Sequence, residues 1–514
     1  MELTYNGSKS KIPEIWNRGV GRRSPFLSRA ELYVKWTLPY LIQEATEDVS
    51  SQNGWTSEGA EGVNFLANKL AQVLFPAQRS FFRFDTTAKG TSALIKEGND
   101  PTQLQSLFAD IEKNAMSYGE KVEFRPAAVE AFKHLQVTGN VLLFKPAGDK
   151  AIQAIGLSNY VVERDTSGTI LDIVLLQEKA LETFPPAMQM AIQSSMKGKQ
   201  YGKRDTVCLY THAKRDGDGF YVINQSANDI PVGVESRVSE DRLPFRVLTW
   251  KRSYGEDYGR GYIEDYAGLF FVINFLSEAV TRGMALMADV KYLIKAGSTV
   301  DIDTFVNGGS GAVMYGMEGD VHIVQLGKYA DYTPIQNVLE VMRQKVGRIF
   351  MMETLTRRDA ERVTAYEIQR DALSIEQSLG GVYSMFAVTF QKPMAMWFLQ
   401  GVGSGLTSDK VEPVIITGIE ALGRMAELEK LATFHEYAAL PLQWPEPLQR
   451  ATDFVKYKDW VSGQISAHFP FFYTQEEMQQ QDAAAQKQNM ENVAGAEAAK
   501  AIPKVIEQQV GGSK

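Results

Sequence analysis

The sequence predicts an α+β protein in which a mixed strand and helix region leads into two long helices that flank a small β insert. Three observations predict this. Residues 152–250 carry short apolar runs, YVVERD, TILDIVLL, VCLYTHA, FYVIN and RVLTW, separated by turn signals such as TSG and RDGDG, as strands and hairpins require. Residues 262–290, YIEDYAGLFFVINFLSEAVTRGMALMADV, are apolar around most of a helical circumference and would extend roughly 43 Å at 1.5 Å per residue. A second helix begins at Thr333-Pro334, a hydroxyl N-cap followed by proline, and carries Ile335, Val338, Met342, Val346 and Ile349 at three- and four-residue spacing.

In chain order, helical periodicity covers 26–49 and 57–75, the second with Val63, Leu66, Ala67, Leu70, Val73 and Leu74 on one face and Pro76 as its stop. SFFRFDTT then reads as a strand. Residues 103–144 continue helical and pass through Gly139-Asn140 into the apolar strand VLLF. Within 291–327 the runs VKYLIKAG, GAVMYG and VHIVQLG read as strands around a glycine-rich VNGGSG. Thr364 with Glu367 forms a capping box that starts a third helix, striped by Ile368, Ala372, Ile375, Leu379, Val382, Phe386 and Phe390. Gly380-Gly381 and Pro393 predict a bend in it. EPVIITG is a strand, IEALGRMAELEKLATFHEYAAL a helix, and the stretch from Gln475 to Gln509 a polar tail with little to bury.

The composition sets limits on function. With 514 residues and 44% hydrophobic side chains the chain has material for a substantial core, and its net charge of −8 opposes gripping nucleic acid by bulk charge. Any DNA contact must be local or sliding. The single cysteine, Cys208 in TVCLYTH, precludes an intrachain disulfide and fits a small core residue of a strand. The first residues are polar and lack the apolar core of a signal peptide. GLFFVINFL (268–276) is bounded by Glu264, Asp265 and Glu278, too short an apolar run to span a bilayer, and reads as a helix buried by protein.

Catalytic patterns are not found. No G-x-x-x-x-G-K-[ST] loop is present, and GVGSG at 401–405 lacks both a following lysine and the strand-turn-helix setting of a nucleophile elbow. His134, His212, His322, His435 and His468 are scattered without metal-ligand spacing, so no metal or other cofactor is expected.

Several phrases together resemble the head-to-tail connector, or portal, proteins of short-tailed podovirus phages. They are GVNFLANKLAQVLFP (62–76), VTGNVLLF (137–144), LSNYVVERD (157–165), YGRGYIEDY (258–266), ERVTAYEI (361–368), SLGGVYS (378–384) and TGIEALGR (417–424). The resemblance implies a portal fold, with an α/β wing over 1–261, stem helices at 262–290 and 328–354, and a clip at 291–327. It further implies a tunnel loop at 355–363, a long wing helix with a return strand and helix at 364–440, and a helical crown with the polar tail at 441–514. It also implies a ring of copies, a dodecamer in that family, at one capsid vertex of the virion, assembled in the host cytoplasm. Double-stranded DNA would pass through it. Terminase motor, capsid and scaffolding proteins, tail adaptor and internal core proteins are the implied partners, with no membrane and no catalysis. Another structural ring of the head-tail junction, such as a tail adaptor, is the alternative.

The acidic chain turns locally basic between Arg343 and Arg370. Arg343, Lys345 and Arg370, on helices, fit solvated or inter-subunit roles. The resemblance puts Arg357, Arg358 and Arg362 in the tunnel, where guanidinium groups on a loop repeated around a ring would give phosphates many weak contacts without reading sequence. Lys291, Lys295 and Arg348 are further candidates for DNA or subunit contacts.

Overall fold

The computed structural model describes residues 10–42, 54–77, 80–86, 101–195, 205–217, 219–288, 291–324, 329–352, 378–379, 381–403, 411–415 and 431–465. They divide between two units, Met1–Gly418 and Ile419–Lys514.

The first helix, α1 (Ile12–Trp36), starts fourteen residues before the periodicity at 26–49 suggests and ends well short of it. Pro25 lies inside it, which ordinarily breaks a helix. Packing overrides that cost here. Ile12, Trp16, Arg23, Ala30, Tyr33 and Val34 are buried along its length, and a Cβ on Gly19 would sit 2.7 Å from Val161. Helix α2 (Glu58–Leu74) matches the sequence expectation, with Val63, Leu66, Ala67 and Leu70 fully buried.

Strand β1 (Phe82–Thr86) precedes α3 (Pro101–Lys121) and α4 (Phe124–Thr138). Gly139 ends α4 at φ 76°, and its N–H bonds the carbonyls of His134 and Leu135 at 3.2 and 3.1 Å, a left-handed cap that turns the chain directly into β2 (Asn140–Phe144). β2 is central in a three-stranded sheet between β3 (Gln153–Ile155) and β9 (Phe245–Thr249), both antiparallel to it. A five-stranded antiparallel sheet follows in simple meander order: β4 (Tyr160–Arg164), β5 (Ile170–Ala180), β6 (Thr206–Arg215), β7 (Phe220–Ala227) and β8 (Ile230–Ser239). Strand β8 and helix α5 (Pro186–Ser195) were not expected from the sequence, because Pro231 and Gly233 interrupt the strand pattern and the helix is short. Cys208 lies on β6 as expected but is only half-buried.

The expected helix at 262–290 is two pieces, α6 (Tyr262–Asp265) and α7 (Ala267–Ala288), broken where Tyr266 leaves helical geometry at φ −116°, ψ 15°. The insert holds a two-stranded antiparallel sheet, β10 (Lys291–Ile294) against β11 (Val321–Val324). GAVMYG is not a strand. A short helix α8 (Ile302–Asn307) stands nearby instead, started by the Asp301 side chain, which accepts from the Asp303 N–H at 3.2 Å. The next helix, α9 (Tyr329–Ile349), begins four residues before Thr333, so Pro334 falls inside it rather than at its start.

The third long helix lies partly outside the described residues. Its described part is interrupted as the glycine pair predicts: Gly381 is at φ 87°, α10 (Val382–Phe386) widens into a π-helical turn at Ala387–Gln391, and α11 (Lys392–Val402) follows with Pro393 in its first turn. Strand β12 (Val411–Ile415) pairs antiparallel with β1. Phenylalanines weld these elements together. Phe75 lies 4.8 Å from Phe124 and 4.9 Å from Phe390, and Phe398 lies 5.1 Å from Phe124. In the second unit helix α12 (431–439) is followed by α13 (Glu446–Ala451) and α14 (Phe454–Ile465), with Phe434, Ala438 and Val461 as a small core.

Candidate functional site

Several sequence phrases that are far apart in the chain meet at one joint, where the sheets hand over to the paired helices. Asn140 of VTGNVLLF donates its amide to the Gly259 carbonyl at 2.8 Å, and its oxygen accepts from the Gly259 N–H at 2.6 Å. A Cβ on Gly261 would stand 2.6 Å from the Val137 carbonyl, so backbone runs against backbone here. Tyr258 reaches the other sheet, its hydroxyl accepting from the Val162 N–H at 3.1 Å, while Asp257 receives the Arg164 N–H at 2.7 Å. Burial lowers Arg164 to about 10. Buried Arg23 of α1 donates to the carbonyls of Leu157, Ser158 and Tyr160 at 3.0, 2.7 and 2.9 Å.

The same joint holds the two long helices. The Tyr262 hydroxyl donates to the Ile349 carbonyl at 2.9 Å, and burial, with Tyr266 beside it, keeps that proton bound. Phe350, fully buried, packs on Tyr262 and Phe270 and fills the space beside Gly62, where a Cβ would come within 2.1 Å of its ring. Charges reinforce the joint: Glu264 meets Arg29 at 3.0 Å and Arg260 at 3.3 Å, and Arg260 also meets Glu256 at 2.9 Å. Their hydrogen bond, first among the causes, holds the Glu256 carboxyl below its ordinary range. Met351, buried and not glycine, takes a left-handed φ of 59° immediately before the basic stretch.

Beyond the joint the helices are covered on one side only. On α7, Phe270, Ile273 and Ser277 are buried, but Phe271 is 57% and Phe275 58% exposed, and their rings stack at 6.3 Å. The stretch Ala267–Leu286 is long and apolar enough to cross a membrane, and only 22% of it is buried within the chain. This corrects the expectation that the apolar run is too short to span a bilayer; within the chain one face of the helix is covered and the other is not. On α9, Leu339 and Val346 are buried while Val338 and Val341 are exposed. The insert is barer still, with Val313 90%, Tyr315 87% and Met317 78% exposed. Contiguous apolar exposure of this kind marks an interaction surface.

The structure scatters the candidate basic residues. Lys291 begins β10 and Lys295 follows that strand; both are exposed, and strand periodicity puts them on one face. Arg348 is exposed in the last turn of α9. Arg343 has a partner within the chain, Glu58 of α2 at 2.6 Å, so it braces the joint. Arg357, Arg358 and Arg362, with the whole of 355–363, lie outside the described residues, as do Arg370 and the tail from Gln475. Among the described residues no three His, Cys, Asp or Glu side chains converge as metal ligands would. The joint was invisible to sequence reasoning as a unit, although its glycines stood in the quoted phrases.

A family model described as bacteriophage head to tail connecting protein matches residues 9–471. The portal protein of Enterobacteria phage SP6 is 58% identical over 508 residues, covering 99% of this chain and 98% of that protein. The portal protein of Escherichia phage T7 is 30% identical over 442 residues, with 84% and 81% covered, and that of Pseudomonas phage phiKMV 29% identical over 471 residues, with 90% and 91% covered. The neck of a native gene transfer agent particle computed with C12 symmetry aligns with 79% of this chain and 89% of that one at 12% identity, with a TM-score of 0.32, too slight a likeness to argue from.

Proposed function

The chain belongs to the bacteriophage head to tail connecting protein family as a portal protein of the virion's head-tail junction, and from that premise we propose that its copies close into a ring around a DNA channel. The observation that carries this is the outward apolar face of α7 together with the bare β insert. A ring is built from heterologous contacts, one patch against a different patch on the next copy, and helices apolar on two sides supply both halves. In this reading 1–261 is the wing, 262–290 and 328–354 the stem, 291–327 the clip, 355–363 the tunnel loop, 364–440 the long wing helix with its return strand and helix, and 441–514 the crown with the polar tail. Twelve is the copy number we assign by family likeness.

Double-stranded DNA would pass through the ring. Arg357, Arg358 and Arg362 are proposed as its phosphate contacts, with Lys291, Lys295 and Arg348 as further contacts to DNA or to the next subunit. We assign no catalysis to the chain: the ring guides DNA and docks the terminase motor, capsid and scaffolding proteins, tail adaptor and internal core proteins, and it assembles in the host cytoplasm without a membrane. Particle mass and electron microscopy of the purified protein test the ring; a monomer under assembly conditions would sink it. Replacing the three arginines with alanine tests the channel. Intact rings that lose or leak DNA are expected, and unstable rings with normal DNA content would make these arginines inter-subunit partners instead.

A further inference from the structure

An open hollow of about 320 Å³ lies away from the joint and the basic stretch, between α3, the loop after β2, the turn before β9, and α11. Lys145 forms part of its wall. Its ammonium donates to the Trp397 carbonyl at 3.0 Å and stands 5.1 Å from the centre of the Tyr118 ring. Among the described residues it makes no ion pair: Asp149, the acid in the same wall, acts on it through space but pairs with Lys121 at 2.6 Å. Arg242 lines the hollow too, exposed and, among the described residues, in no ion pair. Behind the wall, Arg246 is half-buried over the Trp397 ring at 5.9 Å, with Glu240 and Asp241 as its acidic neighbours. Glu240 is shared with Arg215 at 3.8 Å.

A half-buried ammonium that makes no ion pair among the described residues is costly, the field of Asp149 only partly offsetting its burial, and a second cation lining the same concave site adds to the positive potential. The hollow also lies within the size range of small-ligand sites. We propose that it binds an oxyanion, a phosphate or phosphomonoester group, between Lys145 and Arg242. Lysine supplies a point charge and arginine a planar fork, the pair of donors that phosphate oxygens accept from. Burial now pushes the Lys145 ammonium below its ordinary pKa. A bound anion would reverse that direction.

The test titrates inorganic phosphate and AMP, with adenosine as control, into the full-length protein at low salt, following phosphorus NMR line width and calorimetric heat. Wild type should bind phosphate or AMP and ignore adenosine. Lys145→Met should weaken binding by about tenfold or more. Arg242→Gln should weaken it several-fold; because that side chain is exposed, the variant's unfolding midpoint in urea should match wild type, and a lowered midpoint together with lost binding would assign the loss to folding and count against the site. Tighter binding of AMP than of phosphate would identify a phosphomonoester as the ligand, and equal binding the free ion; either supports the site. No binding to wild type at millimolar phosphate, or equal binding to all three proteins, overturns it.

Discussion

The joint and the β insert are two ways of treating the same kinds of side chain. At the joint, Trp250, Tyr258, Tyr262 and Phe350 are buried, and Asn140, Arg23 and Arg164 find backbone partners inside one copy of the chain. In the insert Tyr292 finds only the Phe305 ring of the short helix at 4.9 Å, while Val313, Tyr315 and Met317 face outward from two paired strands with little to pack on. The difference separates what one subunit must hold by itself from what it leaves to a neighbour. Changes at the joint should therefore cost subunit stability, and changes in the insert should cost assembly.

The largest expected effect is at Phe350. Phe350→Ala empties a fully buried space between both long helices and α2 and should destabilise the subunit by about 3–5 kcal/mol in urea unfolding. A loss below about 1 kcal/mol would mean that the joint is not a core at all. Next comes a pH effect. Burial, the leading cause, and Lys133 beside it hold His134 down at about 4 in the folded state, against an ordinary 6.5. The unfolded chain therefore takes up this proton first as pH falls, so the contribution is complete above about 6.5 and is lost as pH drops toward 4. Wild type should lose on the order of 2–3 kcal/mol more than His134→Gln between pH 7 and 4. Parallel pH profiles for the two proteins would remove His134 from the account.

A smaller effect belongs to Asn140. Asn140→Ala removes two bonds to Gly259 and leaves a buried N–H without its acceptor, a cost of about 1–3 kcal/mol. Asn140→Asp, which keeps the acceptor but adds charge in a dry site, should not restore stability. If it did, water would have to reach the joint, and the contrast with the insert would narrow.

How much of this was legible in the sequence depended on whether a signal is local. Periodicity found α2, β1, most strands of the two sheets and the interruption at Gly381, because each is written in adjacent residues. It misplaced α1, since the packing that carries a helix through Pro25 comes from Val161 and other residues far along the chain. It read GAVMYG as a strand because valine and tyrosine favour sheets, yet among the described residues no strand pairs with it. The joint escaped for the same reason. Gly139, Gly259 and Gly261 could be seen as glycines, but that they press on one another is a tertiary fact. The sequence could name the basic residues, while the ion pair that gives Arg343 a partner within its own chain depends on α2 lying beside α9.

The smallest stability effect is predicted where the comparison is most exposed to failure. Val313→Ser with Tyr315→Ala removes side chains that are 90% and 87% exposed in the subunit, so unfolding should move by no more than about 0.5 kcal/mol. If a neighbouring copy covers those side chains, the same substitutions strip an aromatic anchor from every interface of a closed ring. Losing one such anchor commonly costs more than about 1 kcal/mol of association, close to tenfold in the concentration needed to assemble. Analytical ultracentrifugation of the double variant across a concentration series measures this directly. Rings that form at the wild-type concentration, from subunits of unchanged stability, would show that the insert faces solvent or another protein in the ring; a subunit that unfolds more easily would show that the insert packs on its own chain.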